Sequence, residues 1–486
     1  MALDPFSTAS QLAAAVRARR ASASEVCELY LQRIARHNPA LNAICTLDAE
    51  GARKRARAAD AALAAGEPWG PLHGVPMTIK DALETAGLRT TGGHLPLKDY
   101  VPARDATAVA RLRAAGAILL GKTNVPPLSA DYRADNPIFG RSNNPWNLDR
   151  TPGGSTGGGA AAVAAGLSAF DVGSDLAGSV RTPAHFCGLF ALKPTERRVP
   201  NTGHIPEPPG LPRAVRHMNV LGPLARSVED LELVLRVIAG SDDAEWDVPP
   251  VAWRPAPERP LRSARIAWSS GFGGIPVTRD TRQAIARLAG ELARAGCRVE
   301  EQNPAGFDFD AAWETWGAVA IAERAATAPE RVAERVAALI ESLGADVPVA
   351  RGSAMGARAT VGDYMAFLTR RDTLIGALER FFDDWDAFLC PVSVGPAVPH
   401  VPFGTPIQVD DGTVPYFLAG TAYTAPFNLT GSPAVVLPLA RSAAEGLPIG
   451  VQLVGRRWSE PALLALASRV ARLGGPFQPP PAFRDA

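Results

Sequence analysis

Cysteine is scarce and scattered in this 486-residue chain. Cys27, Cys45, Cys187, Cys297 and Cys390 are odd in number and contain no C-x-x-C pair. That argues against both a disulfide framework and a thiolate metal site. Net charge is scarcer still: 50 Lys+Arg against 49 Asp+Glu leave +1, so no global field draws the chain to nucleic acid or to an anionic membrane. No run of about 18 apolar residues is present to span a bilayer. The start, MALDPFSTASQ, has neither the basic n-region nor the apolar h-region of a secretion signal. The expected location is cytoplasmic, which makes the sequon at Asn428-Leu429-Thr430 fortuitous. Low-complexity linkers and internal repeats are also lacking. With 47% hydrophobic residues the chain has ample material for one large core, and the expectation is a single domain over 1–486.

What is present alternates. Residues 1–65 read as helices packed on the outside of a larger body, with Ser7 or Thr8 capping one and Ser22 or Ser24 the next. From 72 to 220 strand-like and helix-like stretches follow each other. VPMTIK reads as a strand. ATAVARLRAAG, with Asp105 as its cap, reads as a helix leading into the apolar run AILLG. GGGAAAVAAG is a helix of small residues, and AFDVGSD a short strand. Residues 221–250 read as helical and about 245–385 as a largely helical insertion. Strand material returns at WDAFLCPVS, PAVVLPL and IGVQLVG within 386–475. The pattern predicts an α/β class protein, an α/β/α sandwich around a large mixed, twisted sheet to which both ends of the chain contribute.

Two motif matches fail on physical grounds. Gly116-AILL-Gly121-Lys122-Thr123 fits the phosphate-loop pattern. Its AILL would continue a strand, and Pro126-Pro127 forbid the helix whose N-terminus would hold a phosphate. Gly153-Gly154-Ser155-Thr156-Gly157 fits the nucleophile elbow, but a polar, turn-forming stretch precedes it where a hydrophobic strand is needed. Of the histidines His37, His73, His94, His185, His204, His217 and His400, only His400 follows the insertion, in a proline-rich loop.

A different set of residues carries chemistry. Lys80 ends the strand-like run, Ser155 lies 75 residues on among five glycines, and Ser179 a further 24 residues on in GSDLAGSVRTPA. A serine nucleophile needs a group to take its proton. An unperturbed lysine is only about 0.1% neutral at pH 7.4, but burial beside Val75, Met77 and Ile79 would lower its pKa by several units. The turn Asp175-Leu176-Ala177-Gly178-Ser179 offers successive N–H groups to a developing oxyanion, each worth roughly 10²–10³ in rate. Each feature taken singly has a plain structural explanation; their conjunction points to serine–lysine acyl transfer.

These segments resemble the amidase signature family: GVPMTIKDALETAGLRTTGG, GKTNVPPLSA, RSNNPWNLDRTPGGSTGGGAAAVAAG, GSDLAGSVRTPAHFCGLFALKPT, TAPFNLTGSPAVVLPL and GLPIGVQLVGRRWSEPALLALA. The likeness covers most of 8–475 and is weakest in the insertion. It implies that Ser179 is the nucleophile, that Ser155, preceded by a cis peptide bond from Gly154, relays its proton, and that Lys80 is the base. It further implies an oxyanion hole of the Leu176, Ala177, Gly178 and Ser179 N–H groups, braced by Asp175 and Arg181, with no metal and no cofactor. Where the family commonly reads GGSSGGS and DTGGS, this chain has Thr156, Gly159, Leu176 and Ala177. Neither change removes a catalytic atom.

The expected activity is hydrolysis of apolar or aryl amides, with esters and carbamates (urethanes) as further substrates of the same acyl-enzyme. The partner is then a small molecule, with no nucleic acid and no membrane, and a homodimer remains open. The pocket rim is expected from residues 199–220, from Ser129, Ala130 and Tyr132, and from the loop Cys390 to Phe403, with Leu176 and Phe139 favouring an apolar group. Two rival readings stand beside this one. The first is a glutaminase subunit of a tRNA-dependent amidotransferase, against which the stretch AVRHMNVLGP counts. The second is a non-catalytic binding protein on the same scaffold.

Overall fold

The computed structural model describes residues 4–205 and 210–484. The apolar runs become strands of one eleven-stranded sheet, and two short hairpins lie outside it. In chain order the strands are β1 (Ile44–Leu47), β2 (Pro76–Lys80), β3 (Ile118–Thr123), β4 (Asp135–Asn136), β5 (Gly140–Arg141), β6 (Asp171–Asp175), β7 (Phe190–Lys193) and β8 (Val220–Ala225). They continue with β9 (Arg265–Trp268), β10 (Arg298–Glu301), β11 (Ala387–Pro391), β12 (Ile407–Val409), β13 (Gly412–Val414), β14 (Ala434–Arg441) and β15 (Pro448–Val454).

The sheet order is β1-β3-β2-β6-β8-β7-β14-β15-β11-β9-β10. β3, β2 and β6 pair in parallel, as do β11, β9 and β10, whereas the strands between them are antiparallel. The sheet is therefore mixed. Helices cover both faces, and β11 shows why both faces are apolar. Its Ala387 and Leu389 join one buried cluster with the N-terminal helices, while Phe388 and Cys390 join an aromatic cluster around Phe272 and Trp313. That is the two-residue period of a strand buried on both sides.

The N-terminal helices Ala9–Arg17 and Ala23–Leu41 begin with capping boxes, Thr8 with Gln11 and Ser22 with Glu25. Asp230 accepts from the Ala9 N–H at 2.7 Å, and the Arg33 guanidinium donates to the carbonyls of Ala165 and Gly166. Both contacts pin this layer to the body.

Several elements depart from the expectations. The first 65 residues contain β1, a four-residue strand paired antiparallel with β3; it is too short to show a period between two strongly helical stretches. Residues 220–225 form β8, and the helix starts only at Val228, where Ser227 caps it. The region 245–385 contributes β9 and β10 to the sheet edge, joined by the helix Arg279–Arg294 as a parallel crossover, before its four consecutive helices. Asp105 is not a cap: Ala106 holds that position, and Asp105 accepts from Ala86 and pairs with Arg113 at 2.9 Å. The apolar stretch before Lys122 continues as β3, and Pro127 starts only a three-residue 3₁₀ turn.

Candidate active site

Lys80 is the last residue of β2, and the parallel pairing of β2 with β6 brings it near the turn that follows β6 and carries Ser179. Its side chain is wholly buried. The amine Nζ lies 2.6 Å from Ser155 Oγ and 2.9 Å from Ser174 Oγ. No carboxylate forms an ion pair with it among the described residues. Burial pushes its pKa down to about 7, and the charges of Asp175 and Asp171 oppose that shift only in part. An amine held there is substantially neutral at pH 7 and able to accept a proton. Asp171 itself is pushed up to about 7 by burial, with its Oδ2 accepting from Thr78 and Thr123.

Ser155 opens the turn into the helix Gly157–Ala164, and the Gly154–Ser155 peptide bond is cis. A Cβ on Gly154 would lie 2.6 Å from the Arg133 backbone nitrogen, so only glycine lets the two backbones come this close. The Thr156 side chain packs over Gly173, and Lys80 and Ser155 still meet at 2.6 Å. Its N–H donates to the Ser179 carbonyl at 3.0 Å, which ties the Ser155 turn to the Ser179 turn.

The turn after β6 is built around a buried ion pair. Asp175 accepts from Arg181 Nη2 at 3.0 Å and Nε at 3.1 Å, from the N–H groups of Gly178 and Val180, and from Asn428 Nδ2. Neither ion-pair partner is exposed. The Arg181 guanidinium and Asn428 hold the Asp175 carboxyl well below the usual carboxylate range against the opposing effect of burial. Arg181 also donates to Gln452 Oε1 at 3.0 Å and to Asn428 Oδ1. Within the turn, the Leu176 carbonyl accepts from Trp316 Nε1 at 3.1 Å and the Ala177 carbonyl from Thr424 Oγ1 at 2.6 Å. With those carbonyls held, the N–H groups of Leu176, Ala177 and Ser179 donate to no acceptor among the described residues. Gly178 differs from the expectation, because its N–H is spent on Asp175 Oδ1 at 2.8 Å. Gly178 is needed for another reason: its φ is +112°, and a Cβ there would lie 2.5 Å from Thr424 Oγ1.

A narrow cavity of about 70 Å³ opens over Ser179. It is lined by Gly154, Leu176 and Ala177, by Ser129, Ala130 and Tyr132, and by aromatic side chains at Trp316, Phe403, Tyr416 and Phe417. Two expected pocket residues lie elsewhere. Phe139 sits between β4 and β5 under the Arg89 guanidinium, 4.9 Å from its ring, where that hairpin turns toward Asn42. Cys390 is an interior residue of β11 facing the aromatic cluster, because the strand alternation that places it there also keeps it from the cavity. Of the stretch 199–220, residues 206–209 lie outside the described residues.

Three residues around the site were not assigned to it from the sequence. Ser174 Oγ receives Lys80 on one side and lies 2.9 Å from His204 Nε2 on the other. His204 is held beside β2 by backbone contacts, Ile205 N–H to the Ala82 carbonyl at 2.8 Å and a bridge to Leu83. Burial and the Lys80 charge push its pKa down to about 3, so it is a neutral imidazole. Asn428, inside the discounted sequon, is fully buried as a strut of the turn. Ser174 was accessible to reasoning, since parallel pairing of β2 with β6 puts it near the end of β2. His204 was not, because its contact depends on a loop returning from a distant part of the chain.

A buried amine in contact with Ser155, whose turn is tied by a backbone hydrogen bond to the turn of Ser179 and its open N–H groups, is the kind of arrangement a serine nucleophile needs when no histidine serves as base. A family model described as Amidase matches residues 25–464, and the chain belongs to the amidase signature family of hydrolases. It is 36% identical to a glutamyl-tRNA(Gln) amidotransferase subunit of Roseiflexus castenholzii over 93% of this chain and 92% of that one. It is 35% identical to an indoleacetamide hydrolase of Bradyrhizobium diazoefficiens over 96% of this chain and 86% of that one. The crystal structure of a bacterial aryl acylamidase of the same family superposes with a TM-score of 0.79 at 27% identity, covering 96% of each chain.

Proposed function

We propose that the protein hydrolyses apolar or aryl amides through an acyl-enzyme on Ser179, and that esters and carbamates enter the same route. Neutral Lys80 takes the proton of Ser155, and Ser155 takes that of Ser179 as its Oγ attacks the carbonyl carbon. The carbonyl oxygen, now an oxyanion, accepts from the N–H groups of Leu176, Ala177 and Ser179. Collapse breaks the C–N bond while Ser155 delivers a proton to the departing nitrogen and is reprotonated from Lys80. Water repeats the sequence on the acyl-enzyme and releases the acid.

The observation that carries this reading is the buried amine, held 2.6 Å from Ser155 Oγ with no carboxylate paired to it among the described residues. The aromatic walls at Trp316, Phe403 and Phe417 support an apolar or aryl substrate, as do the names of the indoleacetamide hydrolase and aryl acylamidase relatives. Its test is labelling by a fluorophosphonate together with turnover of an aryl anilide, an aryl ester and an aryl carbamate. Ser179→Ala abolishes both labelling and turnover, by at least about 10⁴-fold; retained activity in that variant defeats the assignment.

A second reading, that of a glutaminase working with partner proteins, draws on the 36% identity to one component of an amidotransferase. Release of ammonia from glutamine faster than cleavage of any aryl amide would favour it.

A further inference from the structure

One buried carboxyl on the same face of the sheet as Lys80 has no part in the proton transfers above. Asp171 opens β6 and is paired with Thr78 of β2. Strand side chains repeat every two residues, so Thr78 and Lys80 of β2 share a face with Asp171, Gly173 and Asp175 of β6. The Asp171 side chain reaches across β2. Its Oδ2 accepts from Thr78 at 2.8 Å and from Thr123 at 3.1 Å, and Thr123 is the residue of β3 paired with Lys80 itself.

The helix Gly157–Ala164 covers this face and leaves the carboxyl its room. A Cβ on Gly159 would collide with Asp171, and the three atoms nearest to it all belong to that carboxyl. Gly159 is also a position at which this chain departs from the common family pattern. The Oδ1 atom is buried and meets no hydrogen-bond donor among the described residues. No lysine or arginine forms an ion pair with the carboxyl among those residues either. A carboxyl so placed is costly to ionise.

The other groups around the pair are already committed. Asp175 also acts on Lys80, but it is held by Arg181 at 3.0 Å, which offsets its charge. His204 reaches Lys80 only through Ser174 and is a neutral imidazole. The covering helix carries no titratable side chain, and neither does β8, the other neighbour of β6. Besides Lys80, the charge that acts on Asp171 is Lys122 of β3, which lies near Asp81 and donates to Leu83, Thr85 and Thr90.

We propose that Asp171 is a positioning residue of this site, whose buried carboxyl sets how strongly the Lys80 amine takes the Ser155 proton. This rests on the reading of Lys80 as the base. A fully buried lysine with no opposite charge near it falls to a pKa of about 5–6. Such an amine is neutral at pH 7 but a weak base, and proton transfer is served best by a base whose pKa lies near the working pH. The ionised form of Asp171 favours the ammonium and, with Asp175, holds Lys80 up at about 7. Asp171 itself titrates at about 7, so the acid limb of the rate profile belongs to the two groups together.

The test is the pH profile of kcat/KM for an aryl anilide. Asp171→Asn removes the charge and keeps the shape, so Lys80 loses its proton at lower pH. The acid limb moves down by roughly one pH unit or more, and the plateau kcat falls several-fold because the amine is a weaker base. Thr123→Val leaves Asp171 in place but removes one hydroxyl that stabilises its carboxylate; the limb moves the same way by less. Asp171→Ala with Gly159→Ser fills the vacated space and repeats the full shift. Fluorophosphonate labelling of Ser179 follows the same limb in each variant. A limb that stays in place or moves upward in all three, whatever happens to Tm, makes Asp171 a bracket for the two threonines and overturns this proposal alone. Absence of labelling and turnover in the wild type, or a wild-type limb that survives Lys80→Met, overturns the reading of Lys80 as the base, and this inference with it.

Discussion

Lys80 and Lys122 stand on adjacent parallel strands, β2 and β3, and both are fully buried. Burial holds both amines below the lysine range, at about 7 for Lys80 and about 8 for Lys122. Their partners separate them. Lys122 donates to the Leu83 carbonyl, to Thr85 Oγ1 at 2.8 Å and to Thr90 Oγ1 at 3.1 Å, with the Asp81 charge favouring its ammonium form. A carbonyl only accepts, so that cage is satisfied by a donor with all its protons. Lys80 faces the hydroxyls of Ser155 and Ser174, which give or take a proton, and its one carbonyl contact, to Ser174, is long at 3.4 Å. Desolvation alone does not make a base; the neighbours decide whether the proton has somewhere to go.

The sharpest way to break that contrast is Lys80→Met. Turnover falls by up to about 10⁴-fold, the upper range for loss of general base catalysis. In the wild type, kcat/KM rises with pH through about 7 as the amine loses its proton, and the variant lacks this acid limb. Stability moves the other way. The folded pKa lies below the unfolded one, so the unfolded chain binds the extra proton. The stability contributed by Lys80 is fully present only above its unfolded pKa and is lost as pH falls toward about 7. Lys80→Met therefore raises Tm at pH 6 more than at pH 10, a difference read by calorimetry.

Lys122→Met has the opposite signature. The Leu83 carbonyl and two threonine hydroxyls lose their donor, costing about 1–3 kcal/mol for each unsatisfied group, and Tm falls. The acid limb near pH 7 stays in place, and its disappearance would show that Lys122 shares the proton.

The smallest effect is expected at His204, whose imidazole reaches Lys80 only through Ser174. His204→Ala opens a void beside Ser174 that admits water. With less desolvation the Lys80 pKa climbs back toward its usual range, so the acid limb shifts upward while kcat drops about tenfold or less. His204→Gln retains a polar group of similar reach and restores most of the profile. An unmoved acid limb in the alanine variant would leave His204 a packing residue.

Lys80, Ser155 and Ser179 stood out in the sequence because each lies in a segment whose composition is unusual for its element: a lysine closing an apolar strand, and serines among glycines that allow close backbone approach. Phe139 and Cys390 did not reveal their places. Which face of a strand a residue occupies, and which way a hairpin folds, depend on pairing partners far along the chain. β1, β8 and β10 were hidden by brevity, since four to six residues at a sheet margin or beside a strong helix show no period of their own. Gly178 was assigned by family resemblance, and only the folded turn reveals that Asp175 claims its N–H. Trp316, which lines the cavity, lies on a helix of the insertion, where nothing in the spacing marks which side chains reach the cavity.

The position of β15 has a consequence for how the molecule comes into being. This strand, late in the sequence, fills a gap in the middle of the sheet between β14 and β11, and its Gln452 accepts from Arg181 behind the turn after β6. During synthesis the lysine and both serines emerge long before the piece that closes their scaffold. A nascent chain stalled before residue 448 thus carries Lys80, Ser155 and Ser179 without the strand that closes the sheet beneath them, and the proposed site is assembled only once residues 448–454 have emerged.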